Sequence, residues 1–171
     1  HITPIDHIYV YFPGNPNKPI EKPAGTYQVT SPAAGQIISF EDFAKTNGYP
    51  YADYKIVIAH SCNLFSVFIH VGKLAGAAAQ IASQIGSSGV WGGSIAVKSG
   101  EAIADDSERP NFDYSLFDGS KKLTGFANLN SYAEADIWKP WTADILEYLP
   151  SNLRSEYEAK FLSIASPIGG V

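Results

Sequence analysis

The sequence predicts a mainly β fold, an antiparallel β-sandwich carrying one inserted helix and a C-terminal helix. Three observations predict it. Runs of β-branched and aromatic residues recur as far as Asp118; Pro, Gly, Asn or Ser bounds each of them; and helical spacing shows clearly only over Lys73 to Ile85 and after Pro150. With 171 residues, 45% of them hydrophobic and 13% aromatic, the chain has enough apolar material for one buried core. No internal repeat, low-complexity tract or linker divides it. We therefore expect a single domain over residues 1–171, with a core of about 1–118 and an aromatic and helical extension of about 119–171.

The first predicted strand is His7 to Phe12 (HIYVYF), which stops at Pro13-Gly14-Asn15-Pro16, and a Pro/Asn/Lys loop follows to Pro23. Thr26 to Thr30 and Gly35 to Phe40 flank Ser31-Pro32-Ala33-Ala34, the composition of a tight turn between two strands. Tyr54 to His60 and Leu64 to Val71 flank Ser61-Cys62-Asn63 as a hairpin. The pattern then changes. Over Lys73 to Ile85, Leu74, Ala78, Ile81 and Ile85 recur at helical spacing, with Gly86 where a C-terminal cap belongs.

Strand character returns at Ser94 to Ala104, with Lys98-Ser99-Gly100-Glu101 as its turn, and Phe112 to Asp118 is the last strong strand. Trp138 to Tyr148 is aromatic and partly helical, with Pro140 near its start. After Pro150, Ser151 is placed to cap a helix in which Leu153, Tyr157, Phe161 and Leu162 recur. The tail from Ser166 to Val171 contains Pro and Gly and reads as loose.

Charge and cysteine usage exclude several function classes. A net charge of −5 with only 12 Lys and Arg speaks against nucleic acid and against an anionic membrane surface, both of which need concentrated basic charge. The single Cys62 forms neither an internal disulfide nor a thiolate metal site, so a metal would have to use His and carboxylate. The most apolar stretch, Ala75 to Ile85, is interrupted by Gly76, Gln80, Ser83 and Gln84, and no transmembrane segment is expected.

The chain has 4 His. His1, Asp6 and His7 cluster near the start, while His60 and His70 come from neighbouring predicted strands. If the strand began as early as Asp6, alternation would put Asp6 and His7 on opposite faces. Asp113, set in the apolar run Phe112 to Asp118, is costly to bury without a partner. His60 is expected at a strand end in solvent. Trp91, Trp138 and Trp141, with ten Tyr, are either core or a stacking platform for sugar or peptide.

Three blocks together resemble the lysostaphin-type (LytM-like) zinc endopeptidases. Val29 to Ile37 is similar to the family's strand, Pro-containing turn and Gly before the next strand. Tyr54 to His60 followed by Phe68-Ile69-His70-Val71 is similar to its strand pair ending in an aromatic-x-His-Leu motif, with Val71 in the place of Leu. Val97-Lys98-Ser99-Gly100-Glu101-Ala102-Ile103-Ala104 matches its Val-Lys-x-Gly-x-x-Ile-Ala turn. The blocks keep the family's order over about Thr26 to Phe117, and the opening His1-Ile2-Thr3-Pro4-Ile5-Asp6-His7-Ile8-Tyr9 matches that of a subgroup, His-x-x-Pro-x-Asp-His-x-Tyr.

The resemblance implies a sandwich of the duplicated hybrid motif type, an extracellular or cell-envelope location, and cell-wall peptide or glycan as partner. It implies zinc held by an early His and Asp and a late His, with another His assisting. Asp6 corresponds to the early Asp; His1 precedes it with one residue more than the family spacing, and His7 is the alternative ligand. His70 falls on the assisting position. The late His-x-His-aromatic motif is here Asn111-Phe112-Asp113-Tyr114, so Asp113 is left as the metal ligand and Asn111 cannot act as a general base.

The expected metal set is therefore His1, Asp6, His7 and Asp113, with His70 catalytic or proton-transferring. Three outcomes stay open: a metallohydrolase with an altered motif, a non-catalytic binding or structural envelope module without cofactor, and a copper protein using an N-terminal His1 through its amine and imidazole.

Overall fold

The computed structural model describes residues 6–12, 25–105, 107–124 and 137–164, with side chains as far as 159. The chain is mainly β and forms two antiparallel sheets. Its strands are β1 (Ile8–Tyr11), β2 (Gln28–Thr30), β3 (Gly35–Asp42), β4 (Tyr54–Ala59), β5 (Leu64–Val71), β6 (Lys73–Leu74), β7 (Val90–Val97), β8 (Ala102–Asp105) and β9 (Asn111–Asp118). Six of them order as β1-β9-β5-β4-β3-β7, and the smaller sheet as β2-β8-β6. The helices are α1 (Phe43–Thr46), α2 (Gly76–Gln84) and α3 (Ser151–Ile164).

Alternation sets the core. On the large sheet Ile56, Ile58, Phe68 and Phe112 point to one face, where Ile37, Phe40 and Val97 join them. Val29, Ile103 and Ala104 of the small sheet and Ala77, Ala78 and Ile81 of α2 close that face. Ile81 is fully buried, which is why the Ala-rich run folds as a helix against sheet rather than as a strand. Burial of each large aliphatic side chain here contributes about 1.5–3 kcal/mol.

Local turn chemistry was read correctly, but two of the three turns do more than close hairpins. Ser61-Cys62-Asn63 does join the antiparallel pair β4 and β5. Ser31 to Ala34 and Lys98 to Glu101 instead each carry the chain from one sheet to the other, because β2 and β8 pair with each other while β3 and β7 pair in the large sheet. The two crossings are tied together by Ser31 N–H donating to the Glu101 carbonyl at 2.9 Å and Gly100 N–H donating to the Ser31 carbonyl at 2.8 Å.

The helix is shorter than its periodicity predicts: Lys73 and Leu74 are taken by β6, which pairs with β8. Its last cap is Ile85, extended, with its N–H on the Ile81 carbonyl, and the left-handed glycine that follows is Gly89 rather than Gly86. Helix α3 begins at the predicted place, but Ser151 to Tyr157 are exposed. The Trp138 to Tyr148 segment forms two short 3-10 turns, Lys139–Trp141 and Ile145–Tyr148.

That segment is fastened to the end of β9. Ala143 N–H donates to the Leu116 carbonyl at 2.8 Å, and Tyr148 donates its hydroxyl proton to Asp118, which also accepts from Ser120. The hydroxyls of Ser120 and Tyr148 hold the Asp118 carboxyl down at about 2.

Gly35, at the crossing into β3, has a local reason to be glycine. A Cβ there would lie 2.5 Å from the Ala59 carbonyl oxygen and 3.0 Å from His60 Nδ1. Gly35→Ala is expected to destabilise the fold by about 1–3 kcal/mol through forced backbone movement, read as a lowered midpoint of thermal unfolding. An unchanged midpoint would contradict this packing.

Candidate functional site

The site lies on the sheet face turned away from the core, around β9. Antiparallel register places Asp113 opposite Tyr9 of β1 on one side and opposite Ile69 of β5 on the other. Because Phe112 and Tyr114 point into the core, Asp113 must point out of it, yet only 7% of its surface is exposed. Burial pushes its carboxyl above the ordinary value of 3.8, while the neighbouring His7 and His70 work in the opposite sense. Its Oδ1 is buried and has no hydrogen-bond partner among the described residues.

Asp6 and His7 do reach one place, because β1 begins only at Ile8 and the residues before it are freed from strand alternation. His7 Nδ1–H donates to Asp6 Oδ1 at 2.9 Å, and His7 Nε2 lies 3.8 Å from Asp113 Oδ2. Trp138 of the C-terminal segment donates its indole N–H to Asp6 Oδ2 at 2.9 Å. For Asp6, burial acts to raise the pKa, but the hydrogen bonds from Trp138 and His7 and the Lys139 charge prevail and lower it below 3.8. His1 lies outside the described residues.

His70 reaches the same region by a break in the strand. The β4–β5 register skips between Ile56↔Phe68 and Tyr54↔Val71, and His70 has φ 64°, the one positive φ of a non-glycine residue among those described. Regular alternation would send His70 to the core face with Phe68. The bulge turns it outward at the cost of a left-handed backbone, typically of order 1 kcal/mol. Its Nδ1–H donates to both oxygens of Asp53, at 3.1 and 3.0 Å.

Asp53 itself is fully buried and takes a second charge-assisted bond, from Arg109 Nη2 at 2.5 Å. The Arg109 guanidinium lies 4.3 Å from the Tyr51 ring centre, and the Tyr51 and Tyr49 rings are 5.5 Å apart. Tyr9, Tyr49 and Tyr51 rim a cleft of about 270 Å³ whose polar lining includes Asp53, His70, Asn111 and Asp113.

Of the expected residues, the structure thus gathers Asp6, His7 and Asp113, and sets His70 beside them through Asp53. What does the gathering is strand pairing within one sheet rather than closure of the two sheets on each other. Asp53, Arg109, Tyr49 and Tyr51 were not singled out from the sequence. They sit in loops without periodicity; the one available signal was an Asp and an Arg each flanked by aromatic or Pro residues. His60 is not the solvated strand-end residue expected: it is half-buried, its Nδ1–H on the Ala34 carbonyl at 3.1 Å and its Nε2 accepting from Ser66 Oγ at 2.8 Å. The three Trp form no shared platform; Trp91 packs against the core and Trp138 serves Asp6.

Among the described residues, no three His, Cys, Asp or Glu side chains form a group that would hold a metal as they stand. No protein-family model matches the chain, and no curated protein matches it.

Two opposite pH effects follow. Asp113, raised in the folded state, binds its proton more tightly there than in the unfolded chain, so its contribution to stability falls as pH rises from about 3.8 through the folded value. Asp6, lowered, contributes stability above 3.8 that is lost as pH falls through its folded value. Asp113→Asn is expected to gain on the wild type as pH rises across the first window, measured by denaturant unfolding at several pH values. Trp138→Phe should move the Asp6 carboxyl titration upward in carbon-detected NMR, and an unmoved titration would remove the indole from the site.

Proposed function

We propose that the chain is an extracellular or cell-envelope domain of the lysostaphin-peptidase type with an altered catalytic motif, which holds a divalent metal and acts on or binds cell-wall peptide or glycan. One observation carries this reading. Asp6 fixes the His7 imidazole through Nδ1, and the opposite nitrogen faces, at 3.8 Å, a buried carboxylate with one oxygen left over. A carboxylate behind the imidazole is the usual outer support of a metal-binding His. Donor atoms that share a zinc ion at ~2.0–2.2 Å stand roughly 3–4 Å apart, which the His7 and Asp113 atoms already do.

In this reading His7 and Asp113 are the donors, and Asp6 moves from ligand to orienting group. Zinc, if held by His7 and Asp113, would supply positive charge to polarise a scissile carbonyl. His70, fixed at Nδ1 by Asp53, is the imidazole left to move a proton at Nε2, since Asn111 takes up none near neutral pH. Tyrosines of the rim hold the polymer, and the burial of Asp113 keeps bulk water from its carboxyl.

The alternative, a non-catalytic binding module of the envelope, draws support from a different observation: two donors converge where a zinc site ordinarily has three or more. Calorimetric titration separates the two. Zinc added to chelator-stripped protein is expected to bind at a single site, with binding abolished in Asp113→Ala and weakened about 10- to 100-fold in Asp6→Asn. Chelation should also stop release of fragments from isolated cell wall or a glycyl peptide. Absence of zinc binding, with wall still retained in a sedimentation assay, would decide for the binding module.

A further inference from the structure

Resting on the peptide branch of the functional reading above, we propose that the cleft continues into a second hollow that takes a basic side chain of the bound peptide, an alkyl stem ending in an ammonium, with Glu108 as its counter-charge.

The cleft does not end at Arg109. A hollow of about 480 Å³ adjoins it, lined by Tyr51, Ala52, Glu108, Arg109 and Pro110 and sharing Tyr51 and Arg109 with the cleft. That volume lies within the range of roughly 300–1,000 Å³ usual for small-molecule sites. Its walls come from two loops: the one between α1 and β4 carries Tyr51 and Ala52, and the one between β8 and β9 carries Glu108 to Pro110. A peptide seated in the cleft therefore has a side room open to one of its side chains.

The second loop is held from three sides. The Pro110 carbonyl accepts from the Phe12 N–H at 3.0 Å, and Arg109 is bonded to the buried Asp53. A Cβ added at Gly72 would meet Arg109 Cγ and Glu108 Cβ, each at 2.9 Å, so the loop lies directly on that glycine. The backbone of Glu108 is thus fixed at the wall of the hollow.

Charge selects the ligand. Arg109 is neutralised by Asp53, and its guanidinium already lies 4.3 Å from the Tyr51 ring centre, so neither that cation nor that ring face is left for an incoming group. Glu108 is exposed, and among the described residues no hydrogen bond or ion pair engages its carboxylate. The uncommitted charge of the hollow is therefore negative. Ala52 and Pro110 line the same hollow with apolar surface. A lysine-type side chain matches both features, because its methylene stem covers apolar surface while the compact ammonium reaches a carboxylate. A neutral glycan has no such cation, and an acidic side chain would meet like charge.

The test titrates the full chain, labelled with nitrogen-15, in separate samples with two end-blocked pentapeptides and with 1,5-diaminopentane. The peptides are glycine throughout except at the centre, where one has lysine and the other the uncharged norleucine. The lysine peptide is expected to shift the amides of Ala52 and Glu108 and to bind about 3- to 5-fold more tightly than the norleucine peptide, as one partly exposed ion pair allows. Glu108→Gln should lower the lysine affinity to the norleucine value and leave the norleucine affinity within about 2-fold, a split that loss of folding would not produce. Diaminopentane binding more weakly than the lysine peptide would agree with the proposal. Binding as tight or tighter would assign the hollow to a free diamine and overturn it, as would shifts confined to residues elsewhere. Equal affinities for the two peptides would overturn the inference and leave the peptide reading standing, whereas binding of neither would remove both.

Discussion

The constraint on which the site depends is the antiparallel pairing of β1 with β9, which puts β9 in the interior of the sheet and Asp113 between Tyr9 and Ile69. An outward-facing carboxylate on an edge strand would be well hydrated. Here the neighbouring strands strip that hydration away, which is what raises its pKa and gives the flanking imidazoles something to act on. The strand that achieves this has only four residues and, among the described residues, pairs with β9 alone. Its anchorage comes from outside the sheet, where Trp138 holds Asp6 and the segment after it is bonded to Leu116 and Asp118. The C-terminal extension is therefore part of the site's construction, although none of the expected site residues belongs to it.

Strands and their faces were legible in the sequence, whereas their distribution between two sheets was not. Tyr54 to Val71 announced a hairpin and forms one. Ser31 to Ala34 and Lys98 to Glu101 have the same turn composition, yet each passes between sheets. The deciding interactions are the backbone bonds joining Ser31 to Glu101 and Gly100, some seventy residues apart in the chain, and turn composition contains no information about such a partner. The shortening of α2 has a similar origin: Lys73 and Leu74 have acceptable helical character but gain ladder bonds from β8. Long-range pairing overrides local preference where the two compete.

For the site, residue type was informative wherever a polar group interrupted an apolar strand. Asp113 and His70 stood out for that reason, and Asp6 with His7 through proximity to other donors. Alternation alone would have misplaced two of them. It separates Asp6 from His7, and it sends His70 into the core; a late strand start undoes the first error and a bulge with a left-handed residue undoes the second. Asp53 and Arg109 escaped because a buried carboxylate in a loop is tolerable only with its cation, and that cation is 56 residues away. Pairings of that kind have no period to detect.

The cost of this arrangement bears on its purpose. Replacing buried ionic groups with apolar ones of similar volume commonly leaves a fold as stable or more so. A sheet face with Val67 and Ile69 beside it had apolar alternatives available at position 113. Instead the chain keeps a desolvated carboxylate with one oxygen unpartnered, bends β5 into a left-handed residue to bring an imidazole alongside, and backs each of two imidazoles with its own carboxylate. The unpartnered oxygen and the left-handed residue are costs to the folded chain, and both belong to residues that line the tyrosine-rimmed cleft. Strain and desolvation concentrated at one place occur more often at binding and proton-transferring sites than elsewhere, and that concentration is what supports the functional reading.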